Sequence, residues 1–172
     1  MLKYDKAVVT FSEVPEEVTL CIEITGCPIH CEGCHSPHLW EDIGEELKPV
    51  VLSDLIAKNT GITCIAFMGG DNSPEEIYKL AEWVKNNTEL KVCWYSGGCV
   101  RTDFPKELFD YLKTGGYNKD LGGLDNPATN QRFYEIRTKE IKNIKEEIVN
   151  SYRYLEDVTH KFWKNVGNSK NG

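Results

Sequence analysis

The sequence predicts an α/β protein: an N-terminal hairpin running into a mostly parallel sheet. Three observations carry this. Residues 18–25 (VTLCIEIT) alternate Val18, Leu20, Ile22 and Ile24 with Thr19, Cys21, Glu23 and Thr25, the period of two of a strand, and end in a cysteine-rich loop. Residues 62–68 (ITCIAFM) form an apolar run of strand length, as in a strand buried on both faces of a parallel sheet. A well-signalled helix joins that run to 91–95 (KVCWY), and strand, helix, strand with short connections implies a right-handed parallel unit.

The elements follow in order. Residues 7–11 (AVVTF) read as a strand, and SEVPEE turns the chain into 18–25, which completes the hairpin. Residues 53–59 read as a short helix with Ser53 as N-cap. Gly69-Gly70 closes the apolar run. Ser73-Pro74-Glu75-Glu76 supplies an N-cap, a proline at N1 and a glutamate placed to close a capping box. Ile77, Leu80, Ala81 and Val84 then form one apolar stripe. Ser96-Gly97-Gly98 ends the next strand, Asp103 caps a helical turn, and 109–113 and 132–136 read as strands on either side of a glycine-rich loop, 114–131. Ile141, Ile144, Ile148, Tyr152 and Leu155 recur at helical spacing, and VGNSKNG reads as a frayed tail. The reading is one core domain, 1–137, with a C-terminal helical extension and tail, 138–172.

A chain of 172 residues with 40% apolar and 27% charged side chains suits one soluble globular domain. Its formal charge of −7 argues against a phosphate-gripping surface, hence against nucleic acid as partner. The charge is unevenly spread, −9 over residues 1–137 and +2 over 138–172. No apolar run reaches the ~18 residues of a membrane span, and the start lacks the apolar core of a signal peptide. Both points favour a cytoplasmic location. In that setting seven cysteines argue for metal binding or catalysis over disulfides.

Three of the seven stand as Cys27-Pro28-Ile29-His30-Cys31-Glu32-Gly33-Cys34, a C-x3-C-x2-C spacing on the loop that leaves the second strand. Thiolates are soft ligands that suit zinc or iron–sulfur clusters. With His30, His35 or His38 the loop could complete a Cys3His zinc site. With three cysteines alone, a cubane cluster keeps one iron open for a substrate or cofactor, whereas a four-cysteine cluster is closed and carries electrons. Cys21, Cys64 and Cys93 lie within predicted strands and read as small core side chains. Cys99 reads as a reactive thiol, with a second cluster through Cys93 and Cys99 as an alternative. Ligands in parallel sheets bind beyond the carboxyl ends of the strands. The cysteine loop, Gly69-Gly70-Asp71 and Ser96-Gly97-Gly98 all fall there.

These residues resemble the radical S-adenosylmethionine superfamily. Ile24-Thr25-Gly26-Cys27-Pro28, Cys31-Glu32-Gly33-Cys34-His35-Ser36 and Trp40 are similar to the activases of glycyl-radical enzymes, above all those of the anaerobic ribonucleoside-triphosphate reductase. Gly69-Gly70-Asp71 matches the glycine-glycine-acid motif of that family, and Thr129-Asn130-Gln131-Arg132 its polar motif before the last core strand. A looser match takes in 155–159 and 162–164. Gly33 stands where many superfamily members carry an aromatic residue, Asp71 replaces the commoner glutamate, and Asn72 a frequent proline.

The resemblance implies an incomplete radical-SAM βα barrel. It implies a [4Fe-4S] cluster on Cys27, Cys31 and Cys34, and S-adenosylmethionine (SAM) held near His35, Gly69, Gly70, Asp71, Ser96 and Asn130. The implied reaction is reductive cleavage of SAM to methionine and a 5′-deoxyadenosyl radical, which takes hydrogen from a backbone glycine of the reductase's glycyl-radical subunit. The implied electron donor is flavodoxin or ferredoxin. Gly97 would line the adenosine side, and Arg132 would meet cofactor or partner. Lys113 resembles a lysine that some activases aim at the cofactor, but by residue type it reads as a surface side chain. His30 and His38 read as solvent-facing. The competing readings are a small radical SAM enzyme acting on a free metabolite, a non-enzymatic Cys/His zinc protein, and an electron carrier whose cluster takes a distant fourth cysteine.

Overall fold

The architecture was analysed in a computed structural model, which describes residues 1–163. The tail assigned to VGNSKNG, and Lys164, lie outside the described residues. In chain order the elements are β1 (Lys3–Thr10), β2 (Thr19–Ile24), β3 (Glu45–Glu46), α1 (Pro49–Lys58), β4 (Cys64–Met68), α2 (Pro74–Asn87), β5 (Lys91–Tyr95), β6 (Tyr111–Thr114), β7 (Arg132–Lys142) and β8 (Ile148–Asp157). All eight strands form one sheet, in the order β3-β1-β2-β4-β5-β6-β7-β8. The central ladders β2–β4, β4–β5 and β5–β6 are parallel. The expected N-terminal hairpin is present as the antiparallel β1–β2 pair, and the outer ladders are antiparallel as well. The parallel character thus belongs to the centre, where short helical crossovers can return the chain to the same edge.

Alternation along the strands sorts the side chains into two layers. Leu20, Ile22, Ile24, Ile65, Phe67, Val92, Trp94 and Leu112 face the helices and pack with Leu52 of α1 and the Ile77, Leu80, Ala81 and Val84 stripe of α2. Cys21, Cys64, Ala66, Cys93, Tyr111 and Phe133 occupy the other face, with Val14, Val158 and Phe162 packed on them. The segment between β1 and β2 is therefore no simple surface turn. Val14 is fully buried, and the Glu13 carbonyl accepts the Tyr95 hydroxyl.

Glu17 ends this segment, 7% exposed beneath the inner layer. Its carboxylate accepts hydrogen bonds from Thr63 Oγ1 (2.6 Å), Tyr111 Oη (2.7 Å) and Lys91 Nζ. Burial pushes the carboxyl up, but the bonds from Lys91, Thr63 and Tyr111 outweigh it and the net shift is downward. A depressed carboxyl stabilises the fold above its unfolded pKa of about 4.3, and the contribution is lost as pH falls through the folded value. Glu17→Gln should cost about 2 kcal/mol at pH 7. Urea unfolding should show that gap shrinking as the pH drops below 4.

Three local expectations are corrected. Helix α1 begins at Pro49 after Lys48, so Ser53 lies in its interior, because proline at N1 starts the helix a turn earlier. Ser73 does precede α2, but it makes no side-chain capping bond, and Glu76 accepts the Leu2 N–H instead (2.8 Å), tying down the N-terminal strand. Asp103 pairs with Arg101, and the short 3-10 turn starts later, at Lys106–Leu108.

The largest correction concerns residues 138–157, expected as a helix. They form the outer part of an antiparallel hairpin in which Ile136 pairs with Leu155 and Lys139 with Tyr152. Position 137 falls inside one continuous strand, β7. The turn is built on Asn143, whose Oδ1 accepts the N–H groups of Lys145 and Glu147, with Glu146 at φ 62. The helical spacing was a coincidence of two strands read as one. Ile141, Ile144, Ile148 and Tyr152 are exposed, and Leu155 alone of the stripe packs on the core. Ladder bonds from β6 through β7 to β8 override the local pattern.

Candidate metal centre

The chain leaves β2 through Thr25 and Gly26, which has φ 72. Gly26 N–H donates to the Glu41 carbonyl and Cys27 N–H to the Leu39 carbonyl, both at 2.9 Å, so residues 39–41 clamp the base of the cysteine loop. Thr25 Oγ1 adds a bond to the Ile43 carbonyl at 2.7 Å. Within the loop, Cys34 N–H donates to the Cys31 carbonyl (3.1 Å), and Ser36 N–H points at Cys34 Sγ (3.4 Å). His30 and Gly33 adopt positive φ, which curls the loop so that all three thiols are half-exposed.

Two glycines on neighbouring loops receive this segment. A Cβ on Gly97 would meet Ile29 at 2.8 Å, and one on Gly116 would meet Cys31 Sγ at 2.9 Å. The loop therefore lies directly on backbone from the ends of β5 and β6. Tyr117 packs at a tilt against His35 with ring centroids 4.7 Å apart, and Lys119 pairs with Glu32.

Beside it, the turns after β4 and β5 are joined by Asp71. Its carboxylate accepts the Ser96 hydroxyl on one oxygen and the Gly97 N–H (3.0 Å) on the other. Ser96 Oγ in turn accepts the Gly98 N–H at 3.0 Å. Gly69 and Gly70 hold φ of 108 and 92, and the space a Cβ on Gly70 would take is filled by Ile77. These glycines serve strand termination and helix packing here. Removing the buried hydroxyl, Ser96→Ala, should cost about 2 kcal/mol, because a charge-assisted bond is lost and Gly98 N–H loses its acceptor. A thermal-melt comparison with Thr at the same position, which keeps the hydroxyl, checks this.

A cavity of about 630 Å3 opens next to these loops, lined by Cys34, His35, Met68, Tyr95, Lys113 and Gln131 among others. The sequence reading missed most of these. Glu23, Met68, Tyr95, Lys113 and Phe133 are register neighbours across five strands, one inward-facing row at the rim of the sheet. Period-two continuation of Cys21, Ala66, Cys93 and Tyr111 was the signal that could have found them. Lys113, read as a surface side chain, is instead 8% exposed. Its Nζ donates to the Gly115 carbonyl at 2.6 Å and sits 5.9 Å from the Tyr95 ring centre. Burial pulls its pKa down to about 8, against the opposing pull of Cys31, Asp71, Cys34 and Cys27.

Asn130 is exposed and donates to the Gly116 carbonyl (3.0 Å), while Arg132 bonds the Thr129 and Gln131 carbonyls. Both order the 114–131 loop. Of the histidines, only His35 borders the cavity. His30 stacks on Trp40 at 4.8 Å, and His38 lies 3.5 Å from Glu23 and 3.7 Å from Asp5.

The donor set bears on the kind of metal centre. A single zinc with Zn–S bonds of about 2.3 Å draws its ligand atoms to roughly 4 Å of one another. Among the described residues, only Asp5, Glu23 and His38 bring three ligand atoms within 4.8 Å. The three thiols, with or without a histidine, do not form such a group. In a cubane each thiolate binds its own iron, so the three need not converge on one point. The remaining strand cysteines lie one or more rows beneath the rim. Burial pushes Cys21 up to about 12, and Cys64 and Cys93 also upward, so these groups stay protonated. A family model described as a 4Fe-4S single cluster domain matches residues 17–116. The chain belongs to that family. No curated protein and no solved structure matches it. The match runs from the buried Glu17 to Gly116, which rests on Cys31, and takes in the cysteine loop and the turns after β4 and β5. An iron–sulfur cofactor is thus the group this 4Fe-4S domain holds. No helix of the described residues is long and apolar enough to cross a membrane.

Proposed function

We propose that this 4Fe-4S domain is a radical SAM activase, built as an incomplete βα barrel, that generates a glycyl radical on the glycyl-radical subunit of anaerobic ribonucleoside-triphosphate reductase. The observation that carries the reading is the donor count: three half-exposed thiols on one loop, with Cys21, Cys64 and Cys93 buried as thiols in the strands behind it and the exposed Cys99 on a separate segment after β5. A cluster bound by Cys27, Cys31 and Cys34 would keep one iron open, and its chemistry there would be one-electron cleavage of the SAM sulfonium.

The chain's own residues would hold and shield the cofactor. Asp71 already accepts one bond on each oxygen, and each oxygen retains a lone pair for a ligand ammonium. Ser96 and Gly97 fix that carboxylate and would border the adenosine. His35, braced by Tyr117, would form the wall between cluster and cavity. Asn130 would act through Gly116, by holding the loop on which Cys31 rests. The electron would come from a flavodoxin or ferredoxin.

The test is anaerobic reconstitution with iron and sulfide, then SAM and dithionite. Release of 5′-deoxyadenosine is the expected result, followed by a glycyl radical signal in paramagnetic resonance once the reductase is added. A fully loaded cluster that releases no 5′-deoxyadenosine overturns the reading. Release without a radical on the reductase would move the substrate to a free metabolite.

A further inference from the structure

Buried lysines are normally paired, since an uncompensated charge in a low-dielectric interior is costly. Lys113 is buried, yet among the described residues its ammonium has no carboxylate ion-pair partner. It holds only the Gly115 carbonyl, at 2.6 Å, and the face of Tyr95. Both are neutral groups. The Asp71 carboxylate bonds Ser96 and Gly97 and acts on the ammonium only from a distance, without an ion pair. What lies next to the ammonium is the cysteine loop. The carbonyl it binds belongs to the peptide joining Gly115 to Gly116, and Gly116 is the residue packed on Cys31 Sγ. The cavity that Lys113 lines is also lined by Cys34. The ammonium is thus bound to the peptide that leads into Gly116, on which Cys31 packs, and it borders the same cavity as Cys34.

The row of strand neighbours explains why it stays there. Lys113 pairs in register with Tyr95 on one side and Phe133 on the other. The aromatic neighbours confine the butyl stem, and the carbonyl confines its tip. A flexible surface lysine would be screened by solvent, but this one is held in a low-dielectric setting where a charge acts strongly over several ångströms.

We infer that Lys113 is a fixed cation that sets the reduction potential of the centre, holding positive charge against the Cys31 and Cys34 side of the loop so that uptake of an electron is less unfavourable. The inference rests on the reading that Cys27, Cys31 and Cys34 hold the cluster. A thiolate-bound cluster is already anionic, and one electron from a low-potential donor makes it more so. Nearby charge is one of the protein's levers on that equilibrium. Lys113 is here a positioning residue for charge, outside the ligand set.

The experiment is an anaerobic redox titration with dithionite, without SAM, followed by low-temperature paramagnetic resonance of the reduced cluster. It compares the wild-type chain with Lys113→Met, Lys113→Gln and Lys113→Arg, each with iron and sulfide content determined. The expected result is a midpoint shifted to more negative potential in the Met and Gln variants and close to wild type in the Arg variant. Gln keeps a donor for the Gly115 carbonyl, so it separates charge from hydrogen bonding if Met fails to fold. Retention of the cluster by Arg alone also supports the inference. Fully loaded neutral variants with an unchanged midpoint overturn it, as does an Arg variant that shifts as far as Met or loss of the cluster in all three. Because SAM is absent, a failure of cofactor cleavage leaves this result untouched. A failure of the cluster assignment shows separately, as iron retained by the cysteine variants.

Discussion

Replacing Cys27, Cys31 or Cys34 singly by alanine should abolish cluster loading, with iron and sulfide falling to background after reconstitution and the brown colour lost. Each thiolate would hold its own iron, so no neighbour can substitute for the missing one. Losing even an outer-shell partner of a metal ligand typically costs about 10–100-fold in affinity, and a lost ligand should cost at least the upper end of that range. Cys99→Ala is the control. Cys99 is exposed, and its loss should leave iron content unchanged. If Cys99→Ala also empties the site, the centre is a closed four-cysteine cluster, and the open coordination position disappears with it.

The second large effect is expected at Gly44→Ala. Gly44 has φ 89, and a Cβ there would lie 2.0 Å from the Tyr4 carbonyl oxygen. That oxygen is backbone in β1 and cannot rotate away. The left-handed conformation costs alanine about 1–2 kcal/mol, and forced overpacking typically adds about 1–3 more. The damage should reach the metal centre. Gly44 sits between Ile43, which accepts the Thr25 hydroxyl, and β3, which pairs with β1. The same return segment clamps Gly26 and Cys27. Gly44→Ala should therefore lower the melting temperature by many degrees and reduce the iron bound by the folded fraction. Ala at Gly61, which has a similar φ of 86 but open space around it, should show only the conformational part of the penalty.

Comparing these positions shows how much of the site could be read without a structure. Cysteine spacing, the Gly69-Gly70-Asp71 turn and the Ser96-Gly97-Gly98 turn are local patterns. Each requires only that a loop follow a strand, and periodicity placed those strands correctly. Asp71 and Ser96 were both chosen as cofactor residues, but the bond between them was not foreseen. It depends on β4 and β5 lying side by side in the register that pairs Met68 with Tyr95. Lys113 was misjudged for the same reason. Residue type says exposed, and only the position of β6 between β5 and β7 puts it under a rim. Asn130 was placed at the cofactor by resemblance, and its side chain is engaged with Gly116.

By itself, the sequence determined what is encoded within a few residues of backbone: the triad of thiols, the helix stripe of α2, the hairpin of β1 and β2, and the glycine turns at the strand ends. Tertiary structure alone decided the fate of 138–157, the shared row of Glu23, Met68, Tyr95 and Lys113, and the seating of Cys31 on Gly116. These depend on hydrogen-bond ladders and packing between segments far apart in the chain. A hydrophobic period of 3.6 in one segment carries no information about a neighbouring strand, and once β6 had paired with Arg132–Glu135, the continuation of β7 and its ladder with β8 overrode the local helical preference.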